Sequence, residues 1–454
     1  MRRVVALCVA AAGMLPAQRP LTLEQAVNAA LERYPAVRVS QEQAAAAAAA
    51  INLARTSYLP RADFLGQVNR ATHNNIFGML LAQPVVSPIS GPVLRTNSLG
   101  NVWGSTVGVL VSWEPFDFGL RKANVGAAEA TRDRAQAQIA VTRLQVATAA
   151  ADAFLTLLAA GQTVTAANAA VERARVTHEV VASLAKNELR PGADESRARA
   201  ELALAQTQRI QAEQAVDTSR AALAQLLGRP AQEILPAPGA LAGLPPDALH
   251  ETPPGTAHHP LAVVQNAAVE EVKAREKALD RSYFPRFSLQ GTSYARGSGI
   301  QPDGTTGNAA SGLGPNIQNW GVGFSVLFPA LDLPAIRARK AVAAAEERTE
   351  AARYQKVLDD LDGEAAKAGA MLAGARRVAG NTPVQLAAAR DTEAQAEARY
   401  QAGLATIVEL AEAQRLLTQA EIDDALARLS VWRAALAVAA AQGDLDPYLK
   451  IAGK

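Results

Sequence analysis

The residues able to do chemistry are few, and they are badly arranged for catalysis. Five histidines occur, His73, His178, His250, His258 and His259. The adjacent His258-His259 could touch a metal, but one pair in a flexible connector does not make a metal site. No phosphate-cradling glycine loop or nucleophile motif is present, so the sequence argues against an enzyme, and no cofactor or resident metal is expected. Glu409 and Glu412 stand out as a pair, being three apart on a helical stretch just past Gly403, so that their carboxylates project from nearly the same face. Two such carboxylates can attract cations if other copies join them, or can be ordinary surface charge, with Glu412 paired to Arg415.

The elements that carry these residues come in two copies. Ser57-Tyr58-Leu59-Pro60-Arg61 returns as Ser282-Tyr283-Phe284-Pro285-Arg286, 225 positions on, and Pro35 and Gly66 find partners in Pro260 and Gly291. Val107-Gly108-Val109 through Phe118 answers to Val322-Gly323-Phe324 through Leu333 at an offset of 215, and a third block pairs Gly192 with Gly403 at 211. Two copies of one structural unit are the simplest reading.

Composition says what the unit is made of. Aromatics form only 4% of the 454 residues, and alanine runs such as 44–50 recur. Alanine loses no side-chain entropy in a helix, so long, thin, closely packed helices are expected rather than one large core. A net charge of +2 with interspersed signs gives no reason to expect a nucleic-acid partner. Met1-Arg2-Arg3 and the short apolar run 4–15 read as a secretory signal over 1–17. The sole cysteine, Cys8, lies inside it, so the exported chain would have no thiol. No later apolar run approaches a membrane helix in length, so any entry into a membrane must use strands.

Along the chain, Thr22 with Gln25 opens a helix that continues beyond Pro35 to about Ser57. The period then changes to two. Ala62, Phe64, Gly66 and Val68 share one face of a strand. In the next strand Trp103, Ser105, Val107, Val109, Val111 and Trp113 alternate with Gly104, Thr106, Gly108 and Ser112. The two tryptophans are ten residues apart, a height of roughly 25 Å for a tilted strand and close to the apolar band of a membrane barrel. The second half repeats this with Phe287, Leu289 and Gly291, then Trp320, Val322, Phe324, Val326 and Phe328. Trp103, Trp113, Trp320 and Phe328 are therefore expected in an aromatic membrane girdle. The opposed reading, a soluble sandwich, has too few strands.

A helix over about 121–189, roughly 100 Å long, follows, with Leu157, Val164 and Val171 stepping in sevens. The chain turns at Arg190-Pro191-Gly192 and returns from near Asp194 to Leu227, with Val216, Leu223 and Leu227 on the apolar stripe. Gly228 ends it. The domains expected are a first repeat over 18–228, a proline-rich linker over 229–260, a second repeat over 261–443 and a tail over 444–454. In the second repeat the long helix spans about 335–402, turns at Gly403 and returns to about Gln442, and Pro383 after Thr382 predicts a kink or break.

Helix, strand, strand, very long helix, turn, helix, done twice behind a signal peptide, resembles the outer-membrane efflux protein family, of which TolC is the best known. Tyr58-Leu59-Pro60, Tyr283-Phe284-Pro285, Pro115-Phe116-Asp117-Phe118-Gly119 and the run from Arg399-Tyr400 through Glu409-Leu410 to Ala413-Gln414 carry it. Four strands cannot close a barrel alone. The resemblance implies a homotrimer: a mainly α fold in which antiparallel coiled-coil helices form a periplasmic helical barrel, and four strands per chain complete a 12-strand barrel in outer-membrane lipid.

It further implies a passive exit duct of a tripartite efflux or type I secretion system, coupled through a periplasmic adaptor, the membrane fusion protein, to an inner-membrane pump. Adaptor contacts would fall at the turns, Pro191, Gly192, Ala193 and Gly403, Leu404, Ala405, Thr406. Glu409, Glu412 and Tyr400 would stand at the pore gate. Ala405 occupies a position where well-known members carry a basic residue, and Ala198 one where they carry an acid. The alternative is a periplasmic or surface coiled-coil scaffold without a pore, which leaves the Trp-flanked strands idle.

Overall fold

A computed structural model describes residues 20–72, 100–246, 256–301, 303 and 305–453. The expected signal segment 1–17, His73, His250 and most of the loop between the first two strands lie outside the described residues. The chain divides into two compact units, one comprising 1–42, 137–264 and 355–454 and the other Gln43–Gln136 with Gln265–Tyr354.

The second of these holds one sheet. Strands β1 (Arg61–Thr72), β2 (Asn101–Phe116), β3 (Arg286–Ser298) and β4 (Ile317–Leu327) pair in the order β1-β2-β3-β4, every neighbour antiparallel. β1 and β4 are left as edges. Close approach explains two glycines. A Cβ on Gly108 would lie 2.4 Å from that of its neighbour Tyr294, and one on Gly312, whose φ is +94°, would lie 2.0 Å from the Trp103 carbonyl. The segment between β3 and β4 thus folds back onto the end of β2, where Gly299 also donates its N–H to the Trp103 carbonyl at 2.8 Å.

At its other end β2 turns into helix α3 (Leu120–Lys186) through a buried corner. Asp117 accepts from the backbone N–H groups of Gly119 and Arg121, and from the Arg121 Nε at 2.8 Å. Arg121 also donates to the Ser57 carbonyl and lies 4.8 Å over the Tyr58 ring. Burial pushes the Asp117 carboxyl up, but these hydrogen bonds outweigh it and hold the group below its usual range.

The first unit takes its core from α1 (Leu23–Arg33), the middle of α3, the ends of α4 (Gly192–Leu227) and α7 (Ile407–Gln442), and α8 (Asp446–Ala452). Phe154, Trp432 and Tyr448 are fully buried there, and the Trp432 Nε1 donates to the Gly243 carbonyl at 2.8 Å. Thr22 and Gln25 form the expected capping box. Helix α2 (Pro35–Thr56) is separate from α1, because Tyr34 is extended and Pro35, lacking an N–H, starts a helix more easily than it continues one. The described part of the proline-rich segment 229–260 is packed, with Ile234 and Leu241 buried, and pairs with the residues just before α1 at Leu21↔Pro236.

Four expectations need correction. Pro383 does not break α6 (Leu333–Gln401), which runs through it. Thr382 is no cap there: its hydroxyl donates to Asp424 on α7 at 3.0 Å, a buried tie across helices beside the proline. Secondly, α3 does contain an apolar stretch long enough to cross a membrane by length and composition. Its bulky members Phe154, Leu155 and Leu157 are buried in the core of the unit, which is where that stretch belongs. Thirdly, within one chain the heptad positions of α3 buried beside Leu157 are Ala167, Ala174 and Val181, while Val164 and Val171 are half-buried. Alanine heptads recur at Ala198, Ala205, Ala212 and at Ala413, Ala420, Ala427, Ala434, where small side chains let helices lie close.

The fourth concerns the turns. α4 and α7 are both 36 residues long, and both end on a left-handed glycine, Gly228 and Gly443, 215 positions apart. At that offset Gly403 corresponds to Glu188, and Gly192 to Ile407, so the 211 offset of Gly192 to Gly403 is wrong. Gly192 is the first residue of the returning helix, while Glu188, at φ 59°, takes the left-handed position that Gly403 takes at 75°.

Candidate functional site

Two regions gather the residues singled out in the sequence. The first is the outward face of the sheet. Cross-strand register puts Phe64, Val109, Ser293 and Trp320 in one row, and Ala62, Val111, Gly291 and Val322 in the next. Trp113, Leu289 and Phe324 form a third. Phe64 is 84% exposed, Trp320 77% and Val322 72%, a density of bare apolar side chains that water does not support. The opposite face carries Asp63, Gln67, Asn69, Thr106, Ser112, Gln290 and Ser325 in matching register, together with Leu65, Leu110 and Tyr294, so the polar side chains of the sheet are concentrated on that side.

Trp113 donates its Nε1 to the Tyr58 carbonyl at 3.0 Å, while Trp103, at the opposite end of β2, lies beneath the Arg70 guanidinium at 5.2 Å. Phe328 follows β4 and is exposed. A further aromatic cluster joins this face at the helix-side end: Phe116 and Phe118 at 4.6 Å, Phe118 and Phe284 at 5.3 Å, and Phe287 with Phe324 at 6.0 Å. Sequence reasoning used Phe116 and Phe284 only as repeat landmarks. Phe116 is the last residue of β2 and Phe284 lies two residues before β3, and this place at the strand ends is the available indication.

The second region is the pair of turns joining the long helices. After α3, the Leu189 N–H reaches the Leu184 carbonyl at 2.9 Å, and after α6 the Leu404 N–H reaches that of Arg399 at 2.8 Å. These are the same closing bond in each repeat. Leu189 and Leu404 are therefore equivalent, and both are bare, 69% and 72% exposed. Leu189 has no marker in the sequence, because the left-handed position of its turn is held by Glu188 rather than by a glycine. Pro191 caps α4 without a side-chain bond, whereas Thr406 caps α7 in a capping box with Glu409. Ala405 is buried with Tyr400, Ala198, Val181, Ile407 and Leu410 in a small apolar cluster behind the turns.

The three expected gate residues differ in their surroundings. Glu409 accepts from the Thr406 N–H at 3.4 Å and stands 3.8 Å from Arg399. Glu412 is exposed and 3.6 Å from Arg415, which in turn holds Glu201 of α4 at 2.6 Å. Within one chain both carboxylates thus have partners. Tyr400 is buried, its hydroxyl without a hydrogen-bond partner, and burial raises its pKa against the opposing pull of Arg190. Further along the same helices, Arg173 of α3 pairs with Glu421 of α7 at 2.9 Å, and burial pushes nearby Glu393 of α6 up. No group of acidic, histidine or cysteine side chains suited to a metal ion occurs among the described residues.

A repeated helix-strand-strand-helix plan with a two-faced sheet defines a class of membrane channel. The family model for outer membrane efflux proteins matches residues 26–229 and 257–444, and the chain belongs to that family. Solved structures share the fold. The chain is similar to the outer-membrane channel OprN, at 21% identity and TM-score 0.70, over 93% of this chain and 89% of that one. It is also similar to CmeC of Campylobacter jejuni, at 17% and 0.71 over 95% and 89%, and to the open state of MtrE of Neisseria gonorrhoeae, at 19% and 0.69 over 93% and 89%. No curated protein matches the chain significantly in sequence. The protein is an outer-membrane protein of the efflux family, with a mainly α fold and a small antiparallel sheet.

Proposed function

We propose that the protein is the outer-membrane channel of a tripartite efflux or type I secretion system, a passive duct built by three copies. The sheet carries this reading. It has an exposed apolar face, a polar face and two open edges, β1 and β4. An open edge in lipid costs several kcal/mol for each unpaired backbone group, so β4 of one copy must find β1 of another until the ring closes. Twelve strands from three chains, with Val109 and Val322 toward lipid and Thr106 and Ser325 toward the lumen, satisfy both faces. Trp103, Trp113, Trp320 and Phe328 then form the aromatic girdle at the lipid boundary. A pore-free scaffold gives the apolar face no environment.

The exit duct works with an inner-membrane pump through a periplasmic adaptor, and the adaptor engages the turns. The equivalence of the two turns supports that reading: bare Leu189 and Leu404 stand beside Pro191, Gly192, Ala193, Gly403 and Thr406, so each repeat offers a partner the same apolar tip. The chemistry of a conduit needs no catalytic group; its selectivity comes from charges and pore width.

Mass measurement of the detergent-extracted protein tests the assembly. Three chains per particle are expected, and a stable, folded monomer contradicts the shared barrel.

A further inference from the structure

Of the described histidines, His178, His258 and His259, only His259 is buried. It stands immediately before α5 (Pro260–Arg281), whose first residue has no N–H to satisfy. The Leu261 N–H donates to the His259 Nδ1 at 3.1 Å, so the ring caps the helix. Its other nitrogen, Nε2, lies 3.2 Å from the Ala440 carbonyl in the last turn of α7. A carbonyl only accepts, so Nε2 must carry the proton and Nδ1 must not. The bonding therefore selects one neutral tautomer.

The neighbouring chain is shaped to the ring. Gly443, at φ 79°, ends α7, and a Cβ on it would lie 2.8 Å from the His259 Cδ2 and 2.7 Å from Pro260. The ring faces uncharged groups on α5 and at the end of α7: Pro260, the Leu261 amide, the Ala440 carbonyl and Gly443. From α6 the charged group acting on it is Glu364.

We propose that His259 is an acid-sensitive clasp: its neutral ring ties the start of the second repeat to the end of α7, and protonation at Nδ1 releases the helix cap. The second proton would point at the Leu261 N–H, placing two donors face to face. Burial lowers the His259 pKa, more than Ala440 and Glu364 raise it. A folded value below the unfolded one of about 6.5 means the hold is whole above that pH and is lost as pH falls through the folded value.

Full-length protein in detergent provides the test, with ¹⁵N-histidine NMR to read the tautomer and hydrogen exchange to read the Leu261 and Gly443 amides between pH 7.5 and 5. The expected result is an Nε2–H ring that titrates below the unperturbed value of about 6.5, and a several-fold loss of amide protection on acidification. His259→Gln keeps a donor and an acceptor without titrating, so its protection factors should not change over that range. Should it fail to fold, Gly443→Ala, which crowds the ring, should loosen the Leu261 amide already at pH 7.5. Titration of His259 at or above about pH 6.5, the same acid response in His259→Gln, or an unaltered Leu261 amide in Gly443→Ala overturns the proposal.

Discussion

Arg190, in the turn after α3, lies 4.6 Å over the ring of Tyr400, at the end of α6, and donates its Nη2 to the Tyr400 carbonyl at 2.9 Å. One side chain thus ties the tip of one helical hairpin to the tip of the other. A partly desolvated cation over an aromatic ring contributes about 1–2 kcal/mol, and the hydrogen bond adds about 1 kcal/mol. Arg190→Ala should therefore raise hydrogen exchange at residues 187–191 and 401–406 by at least tenfold without changing it near Trp432. Arg190→Lys should fall between, since an ammonium cannot stack as a guanidinium does. Unchanged protection at both turns in Arg190→Ala contradicts the tie.

The sheet faces predict opposite tolerances. Val322→Arg puts a charge among Val111, Gly291 and Ala62 on the face assigned to lipid, costing about 2–4 kcal/mol at the midplane. Ser325→Asn on the polar face should change stability by less than about 0.5 kcal/mol. Urea unfolding from lipid vesicles measures both. Equal effects contradict the assigned inside and outside.

At the strand-to-helix corner, Asp117 and Arg121 are an ion pair whose side chains are 8% exposed on each side. Removing one partner of a buried pair costs about 3–5 kcal/mol, so Asp117→Asn should lower the thermal midpoint clearly. The carboxyl is held below its unfolded value of about 3.9, so its contribution is whole above that pH and fades as pH falls through the folded value. Wild type should lose stability below about pH 4 more steeply than Asp117→Asn. Parallel acid curves contradict the role of the pair.

Strands were the most legible part of the sequence, because Trp103 to Trp113 alternates apart from Ser105 and Leu110, and a two-residue period has one structural meaning. Gly228 and Thr22 were legible for the same reason, each being a local rule that tertiary structure did not override. The helix seams were not. When alanine fills both the buried and the exposed positions, as in α4, a heptad of Ala198, Ala205 and Ala212 leaves no contrast to read. The first turn misled because its left-handed position is held by Glu188 rather than glycine, so the nearest glycine, Gly192, drew the alignment. Tyr400 and Glu409 could be named from resemblance. The partner of Tyr400, Arg190, could not, since only folding brings positions 210 apart together.

Glu409 and Glu412 are expected to line the periplasmic mouth when three chains assemble, six carboxylates around one axis. Each has a partner within its own chain, Glu409 at the cap and Arg399, Glu412 at Arg415, but both are about half or more exposed and exchange partners at little cost. Glu409→Ala with Glu412→Ala should weaken cation selectivity and trivalent-cation block together. Unchanged selectivity and block would leave the two as ordinary surface charges.

The central claim is a pore shared among chains, and single-channel recording of the purified protein in planar bilayers tests it most directly. The account predicts uniform conductance steps from particles of three-chain mass. It further predicts that Val322→Arg, by impairing insertion, reduces the frequency of those steps more than their size. Three-chain particles that insert into the bilayer and pass no current would contradict it.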